Sequence, residues 1–558
     1  MSDITVMLVI VALVILIFVK GMMNQRKAER DYLANYKKEY GLKLSKAYSA
    51  DELLCIKSYY ENKLTDNDRA LTVDDITWND LDMDLLYKRI DKTLSQPGAE
   101  VLYDILRRPL NSEDVSKLEE QITYFSNNEI DREKLVLMLY KIGNGSKISF
   151  STHLRELEKC ESLNSMKHYF CLIFGVVSLM AIFFNPPLGF ILMFVSLFYN
   201  IFSYFADKGK VQDYVSTCAS ILKLIKYSEL LVNTPVGGIE SEKNEIKEII
   251  KNAKKIRTGA FLVMNQGGAT GNFADIILDY FRMYFHLDLL VFNNMLKLGR
   301  KYKKEYLRLW EIIGRIDALI AIGNYRASLP YYANPEFDES VKYSCEELYH
   351  PLLDCPVSNS VKLDKCALLT GSNASGKSTF LKTVAINAIL AQTINTVCAK
   401  KYTAPHFCVM TSMALSDNIE AGQSYYMAEI KALKRIIESE SVEHKVLCCI
   451  DEVLRGTNTA ERISASSAVL EHISRLGFVC FAATHDLELS VLLSKYYDNY
   501  HFSENVEDDR ITFPYKLYEG ATKSRNAIKL LSFMGFDKMI VEDADKRCKN
   551  FLENKVWM

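Results

Sequence analysis

Apolar and polar positions along this chain fall into three regimes. The first is unbroken apolarity. "ITVMLVIVALVILIFV", Ile4 to Val19, carries no charge between Asp3 and Lys20. From Tyr169 to Ala206 there is no Asp, Glu, Lys or Arg, and Asn185-Pro186-Pro187 cuts that run in two. Such lengths predict membrane-crossing helices, one near the start and two joined by a proline turn. The competing reading of the second run is a buried helical hairpin. Helices of soluble proteins ordinarily carry a polar stripe, however, and this pattern has almost none. The second regime is helical periodicity. It runs through a charged stretch, 25 to 165, with apolar positions such as Leu81, Leu85, Leu86 and Ile90, and again from 208 to 310. "NTPVGG" (233 to 238) and "NQGGATGN" (265 to 272) punctuate the second stretch as turns. The third regime is a set of short apolar runs, "KCALLT", "KVLCCID" and "GFVCFAAT", each ending in polar residues. They predict buried strands. "KMIVEDADKRCKNFLE" closes the pattern as an amphipathic helix.

Charge gives the apolar segments an orientation. Lys20, Arg26, Lys27, Arg30, Lys37 and Lys38 follow the first; Lys159, Lys167, Lys208 and Lys210 flank the other two. The positive-inside rule puts these flanks in the cytoplasm. The acidic start and the lack of an A-x-A site predict an uncleaved anchor rather than a signal peptide. The expectation is a multi-pass protein of the cell membrane, N-terminus outside and the large C-terminal region in the cytoplasm. A length of 558 residues predicts several folding units. The formal charge of −2 shows no global excess of base for nucleic acid, which leaves local patches open. One such patch is "GRKYKKEYLR" (299 to 308), either a phosphate- or lipid-contacting run or a solvated helix face. The thirteen cysteines form no C-x-x-C pair and predict reduced thiols rather than a zinc site or disulfide framework.

The chemistry concentrates in the third regime. Gly371-Ser372-Asn373-Ala374-Ser375-Gly376-Lys377-Ser378 fits G-x-x-x-x-G-K-[ST] between a predicted strand and the helix "STFLKTVAINAILAQ". Glycines let backbone N–H groups approach phosphate oxygens, and the helix points its positive end at them. Gly371, Asn373, Gly376, Lys377, Ser378 and Thr379 are therefore candidate nucleotide-binding residues, with Lys377 for the β/γ-phosphates and Ser378 for Mg²⁺. Asp451-Glu452 ends the next apolar run, a carboxylate for the metal shell followed by one for the attacking water. Thr484-His485 ends a third, where a histidine can hydrogen-bond a γ-phosphate. Gly422-Gln423-Ser424 opens a helix that does not obviously reach its own loop, so the motif order implies a second copy of the chain.

Taken together, "GRIDALIAI", "YHPLL", the loop with Asn373, "GQSYYMAE", "DEVLRGTNTAE", "ATHDLEL" and "YEGATKSRNAIKLL" resemble the MutS family of DNA mismatch repair ATPases, within the ABC ATPase superfamily. The likeness covers roughly residues 310 to 535, and "WNDLDMDLLYKRIDKTLSQPGAEVLYDILRRPL" (78 to 110) resembles the start of the family's helical core. The resemblance implies ATP and Mg²⁺ as cofactors, and homodimers in which Ser424 of one chain faces the Lys377 site of the other. It implies metal ligation by Ser378 and Asp451, catalysis by Glu452 and a γ-phosphate-sensing role for His485. A departure accompanies it: the family's mismatch reader, with its Phe-x-Glu wedge, should precede the helical core, which here begins near residue 70 behind an anchor. Phe337-Asp338-Glu339 and Phe502-Ser503-Glu504 match Phe-x-Glu by chance, beside or inside the ATPase region.

The expected architecture is an α/β P-loop, ABC-type ATPase domain plus an all-α core and lever region with three transmembrane helices. Its boundaries are an anchor over 1–24, a helical core or lever over 25–166, a hairpin over 167–207, a lever over 208–330 and the ATPase over 331–558. Two functions fit: a membrane-anchored clamp that still engages double-stranded DNA, weakly and without mismatch preference, or an ABC-type ATPase driving a membrane or unidentified protein partner without DNA.

Overall fold

The computed structural model describes residues 3–64, 72–110, 112–143, 149–253, 280–372, 375–413, 425–439, 444–455, 457–507, 510–522, 528, 531 and 534–554. The chain divides into two compact units. One comprises residues 1–64, 91–104 and 119–327, the other 65–90, 105–118 and 328–558.

The first unit is helical. Asp3–Glu39 is a single 37-residue helix that begins with the N-terminal apolar segment. Ser165–Phe184 and Pro186–Asn233 form the hairpin, joined at Asn185, whose side chain caps the second helix by accepting from Leu188 N. Pro186 and Pro187 occupy the first turn of that helix, where a missing N–H costs nothing. The second helix then continues unbroken for 48 residues, well past the apolar stretch. Among the described residues two helical segments are long and apolar enough to cross a membrane, Ser165–Phe184 and Pro186–Val211. The third expected span, Ile4 to Val19, falls in the first half of helix Asp3–Glu39.

Two family-like segments, far apart in sequence, meet in this unit. Asp317, from "GRIDALIAI", is fully buried and accepts from Leu94 N at 3.0 Å, Ser95 N at 2.9 Å and Ser95 Oγ at 2.5 Å. It thereby satisfies N–H groups at the entry to helix Gln96–Arg107. Burial outweighs these hydrogen bonds and pushes its carboxyl up to about 7.

The second unit is α/β. Its strands are β1 (Glu336–Phe337), β2 (Tyr343–Leu348), β3 (Asn359–Leu363), β4 (Cys366–Thr370), β5 (Lys401–Ala404), β6 (Phe407–Ser412), β7 (Lys445–Asp451), β8 (Val479–Ala483), β9 (Tyr497–Phe502), β10 (Asn505–Glu507), β11 (Arg510–Thr512) and β12 (Leu517–Glu519). A six-stranded sheet runs in the order β12-β9-β4-β8-β7-β6. It is parallel except for β12, which pairs antiparallel with β9. A four-stranded sheet, β1-β5-β2-β3, and the hairpin β10-β11 complete the unit. Every residue of β4 and β8 is buried, as expected of strands covered on both faces.

Residues 65–90 and 105–118, which the sequence pattern groups with the helical region, belong to this α/β unit. Polar anchoring accounts for their placement. Asp80 accepts from Thr411 Oγ1 at 2.7 Å and Met413 N at 3.1 Å, and Arg435 reaches Asp74 at 2.6 Å. Leu110 N donates to Gln392 O at 2.8 Å, and Trp78, nearly without exposure, is covered by the Arg107 guanidinium. Helical periodicity reports an apolar face and does not name the element that covers it.

Candidate nucleotide site

Three parallel strands deliver the predicted chemistry to one edge of the large sheet. Leu369 of β4 is in register with Ala483 of β8, and Ala483 with Asp451 of β7. The loop after β4, the Asp451-Glu452 pair after β7 and Thr484-His485 after β8 therefore emerge side by side. Carboxyl ends of such strands are where α/β sheets bind ligands. Crosswise hydrogen bonds hold the exits together: Thr484 N donates to Leu369 O, and Glu452 N to Ala483 O, each at 3.0 Å.

The loop has the backbone a phosphate cradle needs. Gly371 has φ +143°, and a Cβ there would come within 2.6 Å of Phe502 O, so only glycine fits. Gly376 caps helix Lys377–Ile394 with φ +109°. Ser378 and Thr379 stand exposed in the first turn of that helix. Lys377 is buried, and its ammonium donates to Gly371 O and Ser372 O at 2.9 Å each, folding back over its own loop. Burial lowers its pKa, against the opposing pull of Glu452 and Asp451. Asn373 and Ser424 lie outside the described residues, as does "NQGGATGN".

Glu452 sits in a left-handed backbone conformation, φ +58°, at the exit of β7. Its Oε1 is 2.7 Å from His485 Nε2, and its Oε2 pairs with Arg455. Burial alone would raise its pKa, but the hydrogen bonds from His485 and Arg455 prevail and hold the carboxyl at about 2. Asp451 Oδ1 and Ser375 Oγ are buried without a hydrogen-bond partner among the described residues. An orphaned carboxylate oxygen at this position would suit a divalent cation. Among the described residues no group of three or more His, Cys, Asp and Glu gathers to hold a metal.

Several supporting residues were not foreseen. Glu429, within "GQSYYMAE", accepts from Leu454 N and so pins the turn after Glu452; Leu454 is itself left-handed, φ +60°. Arg462 makes a two-pronged ion pair with Asp486, at 2.8 and 2.6 Å, tying the helix after β7 to the segment after β8. Ser372 Oγ donates to Glu504 Oε2 at 2.8 Å. Glu504 and Phe502 thus belong to this site, and Phe337 lies in β1, so both Phe-x-Glu matches are parts of the α/β unit. The only signal for these residues was that they lie in or beside the motifs. The basic run 299–308 is largely taken up inside the helical unit. Arg308 forks onto Glu245 at 2.6 and 3.0 Å, Lys303 pairs with Glu158 at 2.9 Å, and Arg300 donates to Leu157 O at 2.8 Å.

Comparison with known proteins meets this geometry in the same place. Residues 367–552 match the family described as MutS domain V. Through this region the chain is similar to the MutS family. It is 31% identical over 270 residues to the DNA mismatch repair protein MutS of Protochlamydia amoebophila, covering 45% of this chain and 31% of that protein. It is 29% identical over 282 residues to MutS protein homolog 4 of Mus musculus, covering 47% of this chain and 29% of that protein. A MutS of Streptococcus pyogenes is 28% identical over 252 residues, covering 43% and 29%. The matched stretch spans under a third of each of these MutS-family relatives.

Proposed function

We propose that this chain is a membrane-tethered, MutS-type ATPase that hydrolyses ATP as a homodimer with composite sites and converts the cycle into movement of its helical unit. The observation that carries the reading is the register of Leu369, Ala483 and Asp451, which lines up the loop, the acidic pair and His485 on one sheet edge. In this reading Lys377 leaves the Gly371 and Ser372 carbonyls for the β/γ-phosphates of ATP. Gly371, Asn373, Gly376 and Thr379 line the phosphates. Ser378 and Asp451 hold Mg²⁺, which neutralises phosphate charge when bound. Glu452 takes the proton of the attacking water, giving ADP and phosphate. Both Glu452 oxygens are paired here, so one partner turns away first; His485, free to face the γ-phosphate, is that partner.

Ser424 caps the γ-phosphate from the second chain. Closure with ATP and opening on phosphate loss then form a two-state switch. Mixing Lys377→Ala with Ser424→Arg chains tests this, because one site of each mixed dimer is intact and part of the hydrolysis returns. Association without any return of activity rejects the composite site.

The hairpin supports the tether. Phe183, Phe184, Phe198 and Phe202 are among many large apolar side chains exposed on its outer surface, a pattern suited to lipid rather than water. We place the protein in the cell membrane as a multi-pass chain with the ATPase in the cytoplasm. A cysteine at Asn185, in a variant without native cysteines, should react with an impermeant thiol reagent in whole cells. Labelling only after lysis rejects this topology.

Relatives named for DNA mismatch repair support duplex DNA as a partner. The internally paired 299–308 run supports only weak, salt-sensitive binding without mismatch preference. A tenfold preference for a mismatch, about 1.4 kcal/mol, would overturn that. The second reading, in which the ATPase drives a membrane or protein partner without DNA, draws support from the 48-residue helix continuing from the hairpin into the helical unit. Retrieval of protein but no DNA after crosslinking in cells would favour it.

A further inference from the structure

The hairpin has an inner face that its charge-free sequence does not announce. On the first helix His168, Cys171, Gly175 and Ser178 are buried; on the second, Ser196, Asn200, Ser203 and Asp207 are. The spacing of three and four residues puts each set on one side of its helix. Neighbouring residues such as Phe170, Ile173, Val177, Phe198 and Phe202 point outward and are exposed. Small and polar residues between helices, with large apolar ones outside, is how helices pack in lipid.

This inner face is covered by a third piece of chain. Residues 280–285 are helical and lead into helix Leu287–Lys301. The Tyr284 hydroxyl shares hydrogen bonds with Ser178 Oγ at 3.1 Å and Ser196 Oγ at 2.7 Å, and the two serines share one at 2.9 Å. Asn200 Nδ2 donates to Tyr284 O at 2.9 Å and to Cys171 O at 3.0 Å. Gly175 leaves room for the rings: a Cβ there would meet Tyr284 at 3.2 Å and Phe285 at 3.3 Å. Closer to the charged base, His286 meets His168, Nδ1 to Nδ1, at 2.9 Å, and Lys208 reaches Asp288 at 2.6 Å.

Depth follows from counting. The last charge before the apolar run is Lys167 and the first after it is Asp207, paired with each other at 2.5 Å. Ser178 is 178 − 167 = 11 residues beyond the one and Ser196 is 207 − 196 = 11 before the other. At 1.5 Å per residue both put the Tyr284 hydroxyl roughly 16 Å past the charged level. Half of a hydrocarbon core of about 30 Å is the same distance. Arg282 is buried within protein at 1% exposure, as an ionised group at such depth must be, whereas Tyr280 and Phe281 are 63% and 53% exposed.

We infer that residues 280–286 lie within the bilayer beside the hairpin, presenting Tyr280 and Phe281 to lipid acyl chains, as a membrane element additional to the expected spans. The inference rests on the membrane reading above, and its test separates the two. The full chain is reconstituted in phosphatidylcholine vesicles with photoreactive benzoylphenylalanine replacing Phe281, Phe183 or, as a control on the α/β unit, Tyr332. Lipid adducts at Phe281 and Phe183 but not at Tyr332 are expected. Adducts at Phe183 alone overturn this inference and leave the tether standing; adducts at neither overturn both. Should the photoreactive residue disturb folding, Phe281→Trp and Phe183→Trp with lipids brominated at mid-chain give the same comparison. Quenching at Phe183→Trp without quenching at Phe281→Trp again overturns the inference.

Discussion

The sheet edge and the hairpin interior both gather polar groups away from water, but they do so under different codes. At the sheet edge the groups come from contiguous motifs, and the backbone strains to present them: Gly371, Gly376, Glu452 and Leu454 all have positive φ. Inside the hairpin the groups come singly, one per helical turn, from an otherwise apolar run; the Ser178 and Ser196 hydroxyls pair with each other and with Tyr284, while Asn200 Oδ1 and His168 Nε2 are buried without a hydrogen-bond partner among the described residues. One region holds polar atoms open for a ligand, as Asp451 Oδ1 and Ser375 Oγ show. The other closes its serine hydroxyls and the Asn200 N–H into packing. A ligand site therefore advertises itself by unsatisfied groups together with a strained scaffold, and the seam by hydroxyls paired with one another.

Substitutions can break or sharpen that contrast. The largest effect is expected from Lys377→Ala, which should remove ATP binding and cut hydrolysis at least ~100-fold while leaving membrane association unchanged. Nucleotide binding and membrane fractionation check it; loss of membrane association would show that the two regions are not independent. Glu452→Gln should keep ATP binding and lose about 100-fold or more in turnover, because the phosphate and metal groups remain while the base is gone. Single-turnover hydrolysis at wild-type rate would remove Glu452 from that role.

Smaller effects follow in the scaffold. Asp80→Ala leaves the Thr411 hydroxyl and Met413 N–H buried without their acceptor and should cost about 2 kcal/mol in the α/β unit, read by denaturant unfolding. A fragment covering 208–558 lacks residues 65–90 and 105–118 and should be less stable than the full chain for the same reason. The smallest effect belongs to the seam. Tyr284→Phe deletes one hydroxyl while Ser178 and Ser196 keep each other, so it should cost only ~0.6 kcal/mol, with hydrolysis unaltered. A loss of several kcal/mol would mean that the seam depends on the Tyr284 hydroxyl and that the two serines cannot satisfy each other without it.

The sequence by itself determined what short range decides. The loop, its glycines, the strand before it and the helix after it lie within 29 residues, and their chemistry is local: backbone conformation, a lysine and a hydroxyl. The apolar hairpin was legible because two charge-free runs of helix length meet at Asn185-Pro186-Pro187. Tertiary structure alone decided the rest. That His485 reaches Glu452, and that Glu504 holds Ser372, depends on which strands are neighbours in the sheet, which no stretch of sequence states. That Asp80 and Trp78 serve the α/β unit depends on which surface covers an amphipathic helix, and periodicity is silent about that partner. The serines and asparagine of the hairpin read as tolerated polar residues in an apolar run. They became a seam only when Tyr284, more than 80 residues away, supplied hydrogen-bond partners for them.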